Sequence, residues 1–309
     1  MKKVLKTIAI ILGIILFLFI LNYARINIFY QYHKQEYKDS FKIYGNTGNY
    51  VPQGLTYSDK YHVVLQTSYQ SDHDASMLFV VDFKSHKLLK SLKLIDMDGN
   101  NNSHHVGGIT TNNETVWISN DYELEEYSLE EILNTTEDTI QSKGVYDLPI
   151  RGDFCTYHEG RLWIGDFYLK PFYDVPNGDP LLLSYIVDGT LDYSSPEIAI
   201  SLPKMVQGLT FDQDNHFVVT ESFTYLINSN FSIYEDVTKS RSQDTITIEN
   251  NTIPHYDLKK HLIKTIKMPP MAEELFYLDG EYYILFESST DHYSMAYPKI
   301  QNVIQYKVK

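Results

Sequence analysis

The string Gln53-Gly54-Leu55-Thr56-Tyr57 returns almost unchanged as Gln207-Gly208-Leu209-Thr210-Phe211, and this echo constrains the chain more than anything else in it. Gly107-Gly108-Ile109-Thr110 is a looser copy, and Asp153 to Tyr157 and Glu273 to Tyr277 keep the apolar-x-aromatic tail. The five copies start at 53, 107, 153, 207 and 273, separations of 54, 46, 54 and 66. Each copy leads through a turn into a second apolar run: His62 to Leu65, Val116 to Ile118, Leu162 to Ile164, Phe217 to Val219 and Tyr282 to Leu285. A strand–turn–strand unit recurring every 40–50 residues or so, with loops added, is the signature of a repeat array whose units cannot bury their apolar faces alone.

The array predicts an all-β, five-bladed β-propeller over residues 41–309. Further strands follow each unit at Lys87–Leu94, Gly144–Leu148, Ile198–Leu202 and His261–Met268, and Pro149, Pro203 and Pro269-Pro270 mark the crossings, where no ladder donor is needed. The fifth unit lacks its outer strand. The alternating Phe41-Lys42-Ile43-Tyr44 can supply it, closing a ring that leaves no exposed edge. Tyrosines number 26, in keeping with strand-rich structure.

Residues 1–25 read as a membrane helix. Lys2, Lys3 and Lys6 precede an apolar run from Ile8 to Leu21. With Val4 and Tyr23 the segment 4–23 approaches the roughly 20 residues that cross a bilayer. A cleaved signal peptide starts the same way, but no Ala-x-Ala site follows Leu21, which favours an uncleaved, single-pass signal anchor. The basic start puts the N-terminus in the cytoplasm and the propeller outside. Residues 26–40, polar and aromatic without a clear period, read as a stalk.

Four of the 26 basic residues and none of the 40 acidic ones precede residue 26, leaving 22 positive against 40 negative side chains, or −18, on the remainder. Such a surface repels nucleic acid and serves solubility, and it suits cations or basic partners. The one cysteine, Cys155, excludes an internal disulfide and reads as a buried apolar residue in a strand.

In a four-stranded blade the innermost strand starts at one face of the wheel and the second strand ends there. Two sets of residues are therefore expected at one channel mouth. Starts supply Gln53, His104, His105, Asp153, Gln207, Glu273 and Glu274; ends supply Ser68, Asp121, Asp166, Glu221 and Glu287. Oxygen ligands of this kind suit Ca²⁺ or Mg²⁺, with Asp153, Asp166, Glu221, Glu273 and Glu287 as candidates. The competing reading is a hydrated channel with polar strand ends and no metal. The stretch from Asp96 resembles a calcium loop but has Asn101 and Gly107 where Gly and Glu belong, and Asp212-Gln213-Asp214-Asn215 reads as a hairpin turn. Tyr69, Tyr168, Phe172, Tyr173, Tyr293 and Tyr297 fall on loops of the same rim and could stack on a ligand. No P-loop, Gly-x-Ser-x-Gly or His-Glu-x-x-His occurs, and no nucleophile–base pair can be named.

The first unit resembles that of the five-bladed glutamine cyclotransferases of the plant and bacterial type, through Gln53-Gly54-Leu55, Gln66-Thr67-Ser68 and Ser76. Glu273-Glu274-Leu275-Phe276-Tyr277 is similar to the family's Asn-Glu-Leu-Glu segment. The resemblance implies the propeller fold. It stops at Val106-Gly107-Gly108, where the family carries a catalytic Glu between glycines, and the family's pocket tryptophans have no counterpart at Asp153-Phe154. Two function classes follow. One is a membrane-held binding module for a small molecule, glycan or protein at the channel mouth. The other is a metal-dependent hydrolase or transferase, glutamine cyclotransferase-like, using rim carboxylates and His105. The balance leans to binding.

Overall fold

Five sheets, each built on four antiparallel strands, stand around one axis. The structure, a computed structural model, describes residues 2–72, 74–175, 178–188, 193–242 and 244–308. From inner to outer strand, blade 1 is Tyr50–Ser58, Val63–Gln70, Met77–Asp82 and Leu88–Ile95. Blade 2 is Gly108–Thr111, Thr115–Asn120, Glu123–Ser128 and Gly144–Asp147. Blade 3 is Phe154–His158, Arg161–Gly165, Leu181–Ile186 and Ile198–Ser201. Blade 4 is Val206–Phe211, Phe217–Glu221, Ser229–Tyr234 and Leu262–Met268. Blade 5 is Ala272–Leu278, Glu281–Phe286, Asn302–Tyr306 and, from the other end of the chain, Lys38–Lys42. The chain is a five-bladed propeller.

Closure is antiparallel, with Lys38 opposite Gln305 and Lys42 opposite Asn302. The closing strand begins three residues before Phe41. Lys38 and Asp39 suit an outermost strand, where charge discourages pairing with other chains. Two insertions reach back to the preceding blade. Thr139–Gln141, between the third and fourth strands of blade 2, pairs in parallel with Leu88–Ile95 of blade 1. The hairpin Asp244–Ile248 and Asn251–Asp257, inserted in blade 4, pairs in parallel with Ile198–Ser201 of blade 3. Both cover edges that would otherwise be open.

Consecutive residues of the second strands are buried, among them Val64-Leu65, Val218-Val219 and Ile284-Leu285. A blade packs against a neighbour on each face, so both side-chain directions meet apolar surface, and the sequence reads as unbroken apolar runs. Inner strands approach each other closely near the axis. A Cβ on Gly108 would come within 2.4 Å of the Cys155 nitrogen in blade 3, and one on Gly208 within 2.6 Å of Glu274 Cα in blade 5. Threonines near the ends of second strands tie blades together: Thr67 Oγ1 donates to the Val106 carbonyl at 2.9 Å, and Thr220 Oγ1 to the Glu273 carbonyl at 2.6 Å.

The N-terminal helix runs from Lys2 to His33, well past the apolar run, and a 3-10 turn at Lys34–Glu36 leads into the closing strand. It is long and apolar enough to cross a membrane. Residues 2–18 are exposed throughout. The stretch read as a stalk is thus helix up to His33, and the helix touches the propeller from Asn22 onward. Asn22 Nδ2 donates to the Leu226 carbonyl at 2.8 Å, Tyr297 Oη donates to Asn27 Oδ1 at 2.8 Å, the Tyr23 and Tyr297 rings lie 5.1 Å apart, and Ile26 is buried.

Candidate functional site

The inner strands of blades 1, 4 and 5 share a device at the mouth. Ladder register slips between Pro52 and Leu55, between Val206 and Gly208, and between Ala272 and Leu275. A bulge lets a strand re-aim side chains that the ladder would hold across the sheet. The residues inside the slips are Gln53-Gly54, Gln207 and Glu273-Glu274, and of these Gln53, Gln207 and Glu273 line a cavity of about 250 Å³ at the mouth. The other walls are His105, Asp121, Arg151, Asp153, Phe167, Tyr173, Phe223, Glu287 and Tyr293.

Glu274 turns the other way, into the axis. Its Oε2 accepts the backbone N–H of Leu55 at 2.7 Å and of Ile109 at 3.0 Å, and its Oε1 accepts that of Cys155 at 3.4 Å. One carboxylate from blade 5 thereby binds the inner strands of blades 1, 2 and 3. Burial pushes its carboxyl well up while the three N–H groups pull it down. Every one of these partners is a donor, so a proton on Glu274 would face N–H groups, and the geometry favours the ionised form.

On the blade 1 and blade 5 wall, Glu273 and Glu287 lie side by side. Gln53 Nε2 donates to Glu287 Oε2 at 3.3 Å, and the Tyr293 hydroxyl, hydrogen-bonded in turn to Tyr69, reaches Glu287 as well. Burial pushes both carboxyls up; the Glu287 charge raises Glu273 further, while hydrogen bonds from Gln53, Glu273 and Tyr293 hold Glu287 back, to about 8. Two buried carboxyls in contact, both pushed up, hold at least one proton between them at neutral pH. Tyr293 is presented by a single turn, Asp291–Tyr293, capped by Thr290.

The facing wall comes from blades 2 and 3. Arg151 Nη2 bridges Asp121 at 2.9 Å and Asp153 at 3.0 Å, and its guanidinium lies 5.8 Å from the Tyr173 ring centroid. Asp153 also accepts the Phe167 N–H at 2.7 Å. Burial raises the Asp153 carboxyl to about 6, with Arg151 and the Phe167 N–H opposing. His105 stacks on Tyr69 with ring centroids 4.5 Å apart. The protein packed around it and the Arg151 charge lower its imidazole, while Asp121 opposes. The ring still meets cavity water, which tempers the drop; its direction leaves the imidazole neutral near pH 7. Arg151, the one guanidinium in the mouth, is bridged by two aspartates beside a proton-sharing glutamate pair, which leaves the mouth net negative.

Five of the residues expected at the rim lie elsewhere. Ser68 is buried behind it, 3.4 Å from the Tyr44 carbonyl. His104 points outward, 3.4 Å from Glu125. Glu221 accepts from Asn230 at 3.0 Å and from Tyr234 at 3.3 Å. Asp166 accepts the Leu181 N–H at 3.1 Å; its other oxygen is buried with no partner among the described residues, and burial raises its carboxyl to about 8, as for a protonated acid. Glu274 is the fifth. The five carboxylates named for a cation therefore do not converge. Among the described residues the one grouping with metal-like spacing is Asp212, Asp214 and His216, in the exposed turn at the opposite face, where Asp212 already accepts the N–H groups of Asp214 and His216.

Sequence reasoning passed over Arg151, Phe167 and Phe223. Phe167 and Phe223 follow second strands by two residues, and Arg151 lies in a crossing loop. A lone arginine between Pro149 and Asp153 on an otherwise acidic rim was the available signal.

No family model matches the chain, and no curated protein matches it. Among solved structures it is similar to a glutaminyl cyclase from Myxococcus xanthus, at 11% identity over 87% of this chain and 97% of that one, TM-score 0.47. It is similar to a luciferin-regenerating enzyme, at 12% identity over 87% and 94%, TM-score 0.46. It is also similar to the PQQ-bound aldose sugar dehydrogenase from Streptomyces coelicolor, at 14% identity over 81% and 78%, TM-score 0.45. Likeness of this degree carries no argument about what this chain binds or does.

Proposed function

We propose that the chain is a membrane-anchored propeller, outside the cytoplasm, that binds a small hydroxyl- or amine-bearing ligand of neutral or positive charge in its mouth. The observation that carries this is the pocket itself. Aromatic rings of Phe167, Tyr173, Phe223 and Tyr293 share it with ionised or proton-sharing carboxyls and one pinned arginine. Rings supply flat apolar contact, and the carboxylates and Arg151 supply oriented hydrogen bonds, the combination that recognises a sugar or a substituted amine. The net negative charge disfavours anions. Retention of the helix as an anchor is supported by Asn22, Tyr23, Ile26 and Asn27, whose contacts with the propeller a cleaved chain would lose.

The test is thermal melting of the full-length protein in detergent against monosaccharides, amino acids, choline and sugar phosphates. A ligand that binds only the folded form raises the melting temperature. A rise with a neutral or cationic compound, lost in Arg151→Ala, is expected. A rise with sugar phosphates alone would contradict the proposal.

A second reading has one observation in its favour. A carboxyl pair that keeps a proton near pH 7 can donate it and take it back, so Glu273 and Glu287 are equipped as acid and base of a hydrolase or transferase. Release of ammonia from a peptide with N-terminal glutamine, abolished by Glu287→Gln, would move the chain to that class.

A further inference from the structure

We infer that the mouth of the propeller faces the membrane that holds its own helix, with the loops of blades 3, 4 and 5 seated in the lipid headgroup layer. This rests on the reading of residues 4–23 as a membrane span.

The direction of the helix along blade 5 gives the orientation. Asn22 and Asn27 meet Leu226 and Tyr297, which lie in loops after the second strands of blades 4 and 5, at the mouth. Further on, Tyr30 packs 6.4 Å from Tyr37, and Tyr37 lies 6.1 Å from Tyr306. Tyr306 ends the third strand of blade 5, at the opposite face. The helix therefore passes the mouth first and descends along the blade, so the apolar segment that precedes Asn22 projects from the mouth side.

The level of the loops follows from length. At a rise of about 1.5 Å per residue, residues 4–23 span about 30 Å, the thickness of the hydrocarbon. Asn22 and Tyr23 then sit at the outer boundary, and the hydrogen bond from Asn22 to Leu226 brings the 222–228 loop to the same depth.

The side chains at that level are those of a surface meeting lipid. Phe172 is 70% exposed, Ile227 59% and Met295 55%, on the mouth loops of blades 3, 4 and 5 in turn. Phe172 and Phe223 stack with centroids 6.0 Å apart. Exposed aromatic and aliphatic side chains gathered in one patch mark an interaction surface, and rings at this depth match the aromatic belt of membrane proteins. The patch is continuous with the helix. On blades 1 and 2 the mouth carries exposed Asp72, Asp74, Asp98 and Asp121 beside Met97 and Tyr122, and among the described residues the helix does not reach it. The turns of the opposite face are polar too: Asp59-Lys60, Asn112-Asn113, Glu159-Gly160, Asp212-Gln213-Asp214 and Asp279-Gly280. The wheel thus leans on blades 3–5, its acidic sector lifted into water. The pocket opens at the headgroup layer, and its ligand reaches it along the lipid surface.

The test uses the full-length protein in phosphatidylcholine vesicles whose acyl chains are brominated, which quench only a fluorophore that touches lipid. Cys155 is fully buried, so an environment-sensitive dye can be placed on Leu12→Cys, Phe172→Cys, Ile227→Cys, Met295→Cys and Ile263→Cys one at a time. Ile263 is an exposed apolar residue at the far end of blade 4 and serves as the control. Expected is strong quenching with a blue shift at 12, intermediate quenching at 172, 227 and 295, and none at 263. Quenching at 12 with 172, 227 and 295 indistinguishable from 263 overturns the inference and leaves the anchor standing. No quenching at 12 overturns the anchor itself.

Discussion

Glu274→Ala tests whether one carboxylate at the axis holds the blades together. The substitution leaves the N–H groups of Leu55, Ile109 and Cys155 facing an empty space inside the ring. A buried donor left without an acceptor costs roughly 1–3 kcal/mol, so three set a range of roughly 3–9 kcal/mol. Relief of the buried charge and entry of water into the vacated space both reduce this, which places the expected loss near the lower end, about 3 kcal/mol. At about 2–4 °C per kcal/mol, that is a fall in Tm of roughly 6–12 °C. Glu274→Gln keeps an oxygen for Leu55 and Ile109 and turns its amide on Cys155, already the longest of the three contacts, and should cost about 1 kcal/mol. Melting of the full-length protein in detergent, followed by intrinsic fluorescence, ranks the variants. A Glu274→Ala protein that melts within about 2 °C of wild type, less than one lost hydrogen bond is worth, would refute the account of the axis.

Other outcomes follow from the mouth. The raised carboxyls of the Glu273–Glu287 pair and of Asp166 bind protons more tightly folded than unfolded. Their contribution is complete below the unfolded pKa and is lost as pH rises through the folded one, so Tm should fall between pH 5 and 8. Glu287→Gln should flatten that fall, recovering on the order of 3 kcal/mol at pH 8, seen in melts across the range. His105 has the opposite sign: lowered on folding, it costs stability as pH drops from about 6.5 toward 4. Arg151→Ala removes the counter-charge of Asp153 and should cost about 2 kcal/mol, less than a fully buried pair because Arg151 is partly solvated, and should raise the Asp153 pKa further, by NMR titration. Because the five carboxylates named for a cation do not meet at one point among the described residues, Ca²⁺ or EDTA should move Tm by less than about 1 °C, and a larger shift would restore the cation.

The fold was legible because its signal repeats. Five apolar runs with two buried faces cannot be hidden, and the missing outer strand of the fifth unit pointed to the start of the chain. What escaped was edge and surface. Lys38 and Asp39 look like linker because an outermost strand can be charged on both sides. Residues 26–33 mix Asn, Tyr and Gln with Ile and Phe, and their helical state comes from continuing the apolar helix and docking on Tyr297. The hairpin from Asp244 reads as polar insertion because its faces are largely solvated. In the site, strand starts and ends placed Gln53, His105, Asp121, Asp153, Gln207, Glu273 and Glu287 at the mouth. The same rule could not separate Glu273 from Glu274, since a bulge decides which of two neighbours turns to the axis. Nor could it aim Arg151, Phe167 and Phe223, whose directions belong to loops.

The mouth as the binding site is tested most directly by hydrogen–deuterium exchange of the full-length protein, with and without the compound that gives the largest melting shift. The account expects added protection at residues 103–108, 150–154 and 287–293, which carry His105, Arg151, Asp153, Glu287 and Tyr293. Protection confined to the opposite face, around Asp59, Asp212 and Asp279, with these segments unchanged, would contradict it.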